Sequence, residues 1–398
     1  MKVLLVSTSE CSGGGAIAAR RLMEALNKNG VEAKLMVRDK QSDNPSVIRT
    51  GSKLPKFLER LAILPHCGFR RSRLWQADIA NVGISITGTK AFKEADVIHL
   101  HWVNQGMISL DEMGKILQSG KRVVWTLHDE WPYLGVCHYR GECKEKECRK
   151  CPILSGSLPH SIYMRKRELY QRWHPVFVGC SRWITNEAQN ALPEEWVGHV
   201  NNCIPAEMYH SIDKNDARRA LALPEDKRLI LFCSQKVTDE RKGIRYLVEA
   251  LHHVFPSSLG EVQGEGALVI VGKDSEQIPL PDGIQAFRFG SVSEQKMPLL
   301  YNAADVFVTP SLQDNLPNTI AEAMSCGTPC VGFNIGGIPE MIDHMKNGYI
   351  ARYRDAADLA EGIRFVLSHD LGAAARSKAS IAYNEAEVAE QYIDIYQG

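Results

Sequence analysis

Two carboxylates eight residues apart stand out in the segment DNLPNTIAE, residues 314–322. Asp314 precedes a predicted helix that is entered through Pro317, and Glu322 lies inside that helix. Backbone N–H groups at the helix start, including those of Asn318 and Thr319, would point outward and attract phosphate. One carboxylate could then reach a sugar while the other meets a ribose. The spacing alone does not separate this arrangement from an acidic loop followed by a solvated helical glutamate.

Three cations follow the predicted strand 229–233. Lys236, Arg241 and Lys242 come just before Gly243 and a predicted helix over residues 243–254. Cations on a loop at the carboxyl end of a strand meet the charge that develops on a departing diphosphate, and they do so without a metal. By themselves, three charges would rather indicate a solvated basic loop.

Two further features follow predicted strands of the first half. The run Gly13–Gly15 separates the strand 2–6 from a helix, and glycines there let the backbone approach a phosphate or sugar closely. A tight loop between strand and helix is the alternative. His128, in TLHDEWP, ends the strand 122–127, where a side chain is placed to bind a sugar hydroxyl. A histidine that only packs in the core is the alternative.

Four thiols lie within the polar stretch GVCHYRGECKEKECRKCP. Their spacing is C-x5-C-x4-C-x2-C, formed by Cys137, Cys143, Cys148 and Cys151. We expect a closed, structural zinc site that stiffens a loop too polar to fold by itself. Free thiols or a disulfide are the alternatives.

The elements that position these residues alternate between strands and helices from end to end. This alternation predicts parallel sheets wrapped by helices. The pattern restarts near residue 206, which predicts two Rossmann-like domains that face a central cleft. Ligands of such sheets bind beyond the carboxyl ends of the strands. A last helix, residues 384–397, is expected to cross back to the first domain.

The composition excludes several classes of function. Apolar residues make up 44% and charged residues 24% of the chain, and 47 Lys and Arg balance 47 Asp and Glu. A globular protein whose net charge does not attract nucleic acid is therefore expected. No stretch of eighteen or more apolar residues is present, and the opening MKVLLVSTSECSGGG lacks the pattern of a signal peptide. With an odd number of cysteines, 11, these features predict a cytoplasmic protein.

Residues 53–75 form a local exception to this charge balance. The stretch holds Lys or Arg at six positions and a single acidic residue, Glu59, interleaved with Leu, Ile, Phe and Trp. A basic amphipathic stretch of this kind could rest on anionic lipid at the inner face of a membrane. A solvated helix packed on its domain explains the pattern equally well.

The segment 305–340 resembles the E-x7-E region of family 4 retaining glycosyltransferases, which have the GT-B fold. Its run AEAMSCGTPCVG and its turn Gly336–Gly337 match the continuation of that pattern. The first family Glu falls on Asp314, a shorter carboxylate, and the second falls on Glu322. The stretch that runs from TLHDEWP through the four cysteines resembles a subgroup from surface-polysaccharide pathways, including colanic-acid-like transferases.

The resemblance implies a retaining transfer of sugar from a nucleotide diphosphate to a glycan or polyprenyl-linked acceptor, with no catalytic metal. It implies an acceptor domain, residues 1–205 completed by 380–398, and a donor domain, residues 206–379. The implied catalytic residues are His128, Asp314 and Glu322. Those implied for donor binding are Gly14, Gly15, Lys236, Arg241, Lys242, Asn318, Thr319 and Glu322, with Lys236 near the position of a family Arg.

Two other functions fit the same pattern of elements. One is a nucleotide-sugar epimerase with two Rossmann-like domains, which would need no acceptor. The other is a scaffold protein of a polysaccharide assembly that binds sugar nucleotides without catalysis. The shortened carboxylate at Asp314 keeps the second alternative open.

Overall fold

Each half of the chain is built on one parallel β-sheet. The computed structural model describes residues 1–254 and 266–398. Within them the chain divides into two units, Met1–Cys203 with Ala386–Gly398, and Ile204–Glu385. The predicted fold class, two Rossmann-like halves with the C-terminal helix returning to the first, is confirmed.

The first unit has a seven-stranded sheet of order β3-β2-β1-β4-β5-β6-β7. Its strands are β1 Lys2–Ser9, β2 Glu32–Asp39, β3 Val47–Arg49, β4 Val97–Leu100, β5 Arg122–Leu127, β6 Val176–Gly179 and β7 Val197–His199. Its helices, before the C-terminal one, are α1 Gly14–Lys28, α2 Leu54–Ile63, α3 Lys90–Glu94, α4 Leu110–Gln118, α5 Leu158–Trp173 and α6 Arg182–Ala191.

The second unit has a six-stranded sheet of order β10-β9-β8-β11-β12-β13. Its strands are β8 Arg228–Lys236, β9 Gly266–Lys273, β10 Gln285–Phe289, β11 Val306–Thr309, β12 Cys330–Phe333 and β13 Gly348–Ala351. Its helices are α7 Lys214–Ala220, α8 Ile244–Val254, α9 Met297–Ala303, α10 Asn318–Ser325, α11 Ile338–Met341, α12 Ala356–Ser368 and α13 Gly372–Ala382.

Continuous apolar runs form the central strands because helices cover both faces of each sheet. Along β1, Leu4 and Val6 enter one core cluster, while Val3 and Leu5 enter the other, against α1. In both sheets the strand order reverses beside the first strand of the unit, so β1 neighbours β4 and β8 neighbours β11. Loops diverge at such a point, and this leaves a crevice at the carboxyl ends of the strands.

The C-terminal helix α14, Glu385–Gln397, belongs to the first unit through buried polar contacts as well as apolar ones. The hydroxyl of Tyr396 lies 2.6 Å from Nδ1 of His99, and the hydroxyl of Tyr392 lies 2.7 Å from Oγ1 of Thr126. Thr126 Oγ1 in turn lies 2.7 Å from Nε2 of His99. All four side chains are buried, so this network fixes how the helix sits on β4 and β5.

Removal of the Tyr396 hydroxyl should weaken the first unit. Tyr396→Phe leaves a buried ring nitrogen of His99 without its partner, which costs about 1 to 3 kcal/mol. Urea unfolding followed by tryptophan fluorescence measures this unit alone, because all 7 tryptophans of the chain lie in it. Tyr163→Phe, at a half-buried position of α5, is the control. Equal unfolding midpoints for the two variants would contradict the role of the network.

Candidate functional site

An ion pair joins the loops that follow β8 and β11. The loop after β8 turns through the one-turn 3-10 helix Glu240–Lys242 and ends at Gly243, whose φ is 67°. A Cβ at Gly243 would lie 1.9 Å from the carbonyl oxygen of Pro310, so a side chain is excluded there. This close approach brings Nζ of Lys242 within 2.6 Å of Oδ2 of Asp314. The two sequence-predicted residues are therefore in direct contact.

Asp314 stays ionised although it is buried. Burial by itself raises the pKa of this carboxyl, but Lys242 and Arg241 more than reverse the effect, and the pKa lies below its ordinary value. Ser311 adds a hydrogen bond from its hydroxyl to Oδ2, at 3.3 Å. The turn at Gly336 packs against the backbone of Asp314, where a Cβ would lie 1.8 Å from the carbonyl oxygen. The carboxylate is thus held by charge and by close backbone packing.

Glu322 is held by a residue that the sequence did not reveal. The hydroxyl of Tyr301, in α9, donates a hydrogen bond of 2.7 Å to Oε2 of Glu322, in α10. Both side chains are buried, and burial raises the pKa of Tyr301 well above its ordinary value, so the phenol remains a donor. No motif marks Tyr301, because its partner lies in another helix 21 residues away in the chain.

The other predicted donor-binding residues have different surroundings. Arg241 donates from Nη1 to the carbonyl of Gln313 at 3.3 Å, and its own carbonyl accepts from the amide of Leu312 at 2.7 Å. Lys236 is exposed, with Nζ 3.6 Å from Asp274 rather than near Asp314. Asn318 and Thr319 begin α10 and are half-buried. Pro317 caps this helix and is not its first residue.

In the first unit, His128 lies against the start of α1. A Cβ at Gly15 would lie 2.9 Å from Cγ of His128, so the glycine makes room for the ring. The predicted Gly14 is the first residue of α1, after Gly13 with a φ of 96°. The loops after β1 and β5 therefore bring Gly15 and His128 together, as the carboxyl ends of parallel strands do.

His128 is paired with a second histidine. Nε2 of His128 lies 2.9 Å from Nδ1 of His101, which follows β4, and the rings are stacked with centroids 5.2 Å apart. Burial lowers the pKa of His128 to about 4 and that of His101 well below its ordinary value. Both rings are neutral at pH 7, and one nitrogen of the pair must carry the shared hydrogen. His101 directly follows β4, and this position at the carboxyl end of an apolar strand is the signal that could have identified it.

Asp129, the neighbour of His128, has a structural role. Its Oδ2 accepts from Nε1 of Trp102 at 2.7 Å and lies 2.8 Å from Nδ1 of His138. Its Oδ1 accepts from the amide of Trp131 at 3.0 Å. Asp129 thus fastens the loop after β4 to the cysteine-containing loop, while His128 packs against α1.

The zinc site stays a prediction, and its four cysteines lie close enough to influence one another. In residues 1–254 and 266–398, no group of three or more His, Cys, Asp or Glu side chains is arranged to hold a metal ion. Sγ of Cys148 accepts from the amide of Gly135 at 3.3 Å, and Sγ of Cys151 accepts from that of Leu154 at 3.4 Å. A hydrogen bond from Cys137 lowers the pKa of Cys151 to about 6. These thiols contact backbone and one another, and Cys143, like them, is a free thiol.

A cavity of about 910 Å³ also lies in the second unit, away from these residues. Its lining includes Arg228 at the start of β8, Asp305 just before β11 and Thr328 just before β12. It therefore opens at the amino ends of the strands. The ion pair of Lys242 and Asp314 lies at the opposite, carboxyl edge, where ligands of such sheets bind.

Comparison with known families identifies the class of protein. Residues 227–369 match the family described as "Glycosyl transferases group 1". The match lies within the second unit, and the chain is a glycosyltransferase with the two Rossmann-like units of the GT-B fold. These likenesses favour sugar transfer over the epimerase and the scaffold alternatives. No helix in the described part of the chain has the length and apolar character to span a membrane.

Individual relatives extend over both units. An uncharacterized glycosyltransferase of Methanocaldococcus jannaschii is 25% identical, over 89% of this chain and 85% of its own. A putative colanic acid biosynthesis glycosyl transferase of Escherichia coli K12 is 23% identical, over 76% and 75%. The crystal structure of HepE from Anabaena in complex with UDP-glucose has a TM-score of 0.65 at 15% identity, covering 100% of this chain and 99% of that one. This last likeness concerns the fold.

Lys242→Met should destabilise the second unit at neutral pH. A buried ion pair that loses one partner costs about 3 to 5 kcal/mol, and we expect the lower part of this range because Arg241 still contributes. Since the pKa of Asp314 is lowered on folding, the pair stabilises the folded state above the ordinary Asp pKa of about 3.9. That stabilisation is lost as the pH falls through the lowered pKa.

Scanning calorimetry of Lys242→Met and of the exposed control Lys346→Met measures the effect at pH 7 and in acid. The double variant Lys242→Met with Asp314→Asn should recover part of the loss, because no uncompensated charge remains. A double variant less stable than Lys242→Met alone would contradict the ion-pair account.

Gly15→Ala should move the ring of His128 out of its site. A new Cβ at 2.9 Å from Cγ requires a displacement, and overpacking of this kind costs about 1 to 3 kcal/mol. The pKa of His128 should then rise from about 4 toward the ordinary value of about 6.5. NMR titration of histidine-labelled protein measures this, with the signal assigned by its loss in His128→Asn. Gly88→Ala, where a Cβ meets open space, is the control, and an unchanged His128 pKa in Gly15→Ala would refute the proposed contact.

Proposed function

We propose that this glycosyltransferase moves a sugar from a nucleotide diphosphate to a glycan or polyprenyl-linked acceptor, with retention of anomeric configuration. The single observation that carries the proposal is the ion pair of the half-buried Lys242 with the buried Asp314 at the carboxyl edge of the second sheet. There, a cation and a carboxylate lie beside the start of α10, as donor recognition requires. The UDP-glucose complex of HepE, which has the same fold, supports a nucleotide sugar as donor.

In the second unit, the residues divide between the two parts of the donor. Lys242 and Arg241 meet the diphosphate charge, with the amides of Asn318 and Thr319 at the start of α10, and Lys236 contributes from a more exposed position. Glu322 binds the ribose, held in place by Tyr301. Asp314 accepts hydrogen bonds from the transferred sugar while Lys242 compensates its charge. Cations replace a catalytic metal in this scheme, and activity should persist in EDTA.

In the first unit, the edge formed by Gly14, Gly15 and His128 binds the acceptor hydroxyl and the transferred sugar. The low pKa of His128 keeps its ring neutral, so it offers hydrogen bonds without placing a positive charge next to the developing charge on the anomeric carbon. Retention follows from the family resemblance, through attack on the same face with the departing phosphate as base.

The proposal includes the cellular setting. The putative colanic acid transferase among the relatives supports a role in polysaccharide biosynthesis. A polyprenyl-linked acceptor would bring the enzyme to the cytoplasmic face of a membrane, and the basic stretch 53–75 is the part of the chain with the composition for such a peripheral contact.

Donor binding is tested by thermal shift against UDP-, GDP-, ADP- and dTDP-sugars. We expect one nucleotide to stabilise the protein, by about 2.7 kcal/mol at a hundredfold excess over its Kd. Glu322→Gln and Lys242→Met should weaken this donor by roughly 10- to 100-fold, because each loses a charge-assisted contact worth about 1.5 to 3 kcal/mol. Lys346→Met, exposed in the same unit, is the control.

Transfer is tested with the donor so identified and a panel of acceptors, with and without EDTA. Asp314→Ala and Glu322→Ala should abolish measurable turnover, while Asp314→Glu, which restores the family residue, should retain it. Unchanged turnover in both alanine variants would refute the catalytic assignment. An altered sugar formed from donor alone would instead indicate an epimerase.

A further inference from the structure

Helix α2 exposes apolar side chains and buries polar ones, which is the reverse of an ordinary surface helix. Leu54, Phe57, Leu58 and Leu61 follow the i, i+3, i+4, i+7 spacing of one helix face, and they are 42% to 60% exposed. Glu59, on the other face, is fully buried, and burial next to Asp78 raises the pKa of its carboxyl to about 8. We call the four exposed apolar side chains the outer face of α2.

Buried polar side chains hold the inner face of this helix in place. Glu59 accepts from the backbone amides of Ile79 at 2.8 Å and Ala80 at 2.7 Å. Arg60 donates from Nη2 to Asp78 at 2.6 Å and from Nη1 to the carbonyl of Ala77 at 2.9 Å. If the helix rolled to hide its apolar side, the ion pair of Arg60 and Asp78 would break and the backbone amides that Glu59 accepts from would lose their acceptor inside the protein. The outer face is therefore a fixed feature of the first unit.

The surroundings of the outer face are apolar and basic. Phe69 is 70% exposed and Trp75 is 54% exposed in the segment that follows α2. Lys53, Lys56, Arg70, Arg71 and Arg73 supply cations along the same stretch, and its single acidic residue is the buried Glu59. Lys56 lies 5.4 Å from the ring centroid of Trp75. Exposed aromatic and aliphatic side chains among cations, with no exposed acid within the stretch 53–75 itself, match an anionic membrane surface.

We propose that the outer face of α2, with Phe69 and Trp75, inserts into the headgroup region of an anionic bilayer while the neighbouring Lys and Arg side chains bind lipid phosphates. A helix of 10 residues is too short to span the hydrocarbon and lies along the interface instead. A second copy of the chain fits this surface less well, because a two-fold symmetric contact would place these cations opposite the same cations of the other copy. This inference rests on the proposed function, because it concerns how the enzyme reaches a lipid-linked acceptor. Vesicle binding is measured without donor or acceptor, however, so each proposal can fail while the other holds.

The test is co-sedimentation of the full chain with vesicles of phosphatidylcholine alone or mixed with phosphatidylglycerol. We expect binding only to the anionic vesicles, weakened by salt. Phe57→Gln with Leu61→Gln should reduce the binding constant at least tenfold, and each of Lys53→Gln and Arg71→Gln by about fivefold, corresponding to ~1 kcal/mol per charge. Ile381→Gln, which replaces a 76% exposed side chain of the second unit, is the matched control and should bind as the wild type does.

Tryptophan-monitored unfolding shows whether Phe57→Gln with Leu61→Gln still folds, and its donor thermal shift should equal that of the wild type. The proposal is overturned if the wild type does not bind anionic vesicles, or if this variant binds them as tightly. It is also overturned if light scattering shows a dimer that the same substitutions dissociate, because a second copy would then cover the outer face.

Discussion

The structure depends on one constraint of parallel sheets, that all strands of a sheet deliver their following loops to the same edge. In both units the strand order reverses beside the first strand, so the loops after β1 and β4, and those after β8 and β11, diverge and leave room for a ligand. Residues far apart in sequence meet there for this reason alone. Lys242 and Asp314 are 72 residues apart, and His101 and His128 are 27 apart. The chemistry of the protein follows from this placement.

An ionisable side chain that is buried at the carboxyl edge of either sheet keeps its charge only if charged or hydrogen-bonding partners compensate for burial. Asp314 remains ionised because Lys242 and Arg241 outweigh the effect of burial, whereas at His128 burial outweighs the charge of Asp129 and lowers the pKa to about 4, so that the ring is neutral. The second unit therefore offers charged groups, suited to a diphosphate and its sugar, and the first offers neutral hydrogen-bonding groups, suited to hydroxyls. This difference between the two edges agrees with a division of labour between donor and acceptor.

The sequence was sufficient for the fold and for residues that follow strands. Apolar runs, glycines and prolines located β1, β8, β11 and α10, and the loops after them carried the site residues. Helix α5 was not predicted, because Lys166 occupies a core position between Ile162 and Tyr170, where its ammonium donates to backbone carbonyls of the loop after β5. Tyr301 was missed for a similar reason. The roles of Lys166 and Tyr301 depend on partners in other elements, and the spacing of residues along the chain does not reveal such partners.

The cysteine-containing loop and helix α2 also show that sequence pattern does not reveal the contacts of a side chain. The spacing of four thiols predicted a metal site, but it did not reveal that Lys166 and Asp129 also hold this loop, through backbone carbonyls, Trp102 and His138. The stretch 53–75 read equally well as a packed helix or as a membrane contact, because composition does not say which face points inward. The contacts of Glu59 and Arg60 decide that question. Because Glu59 and Arg60 face the core, the apolar side chains of the helix are left exposed at the surface of the first unit, and the nearby cations then favour an anionic partner for that surface.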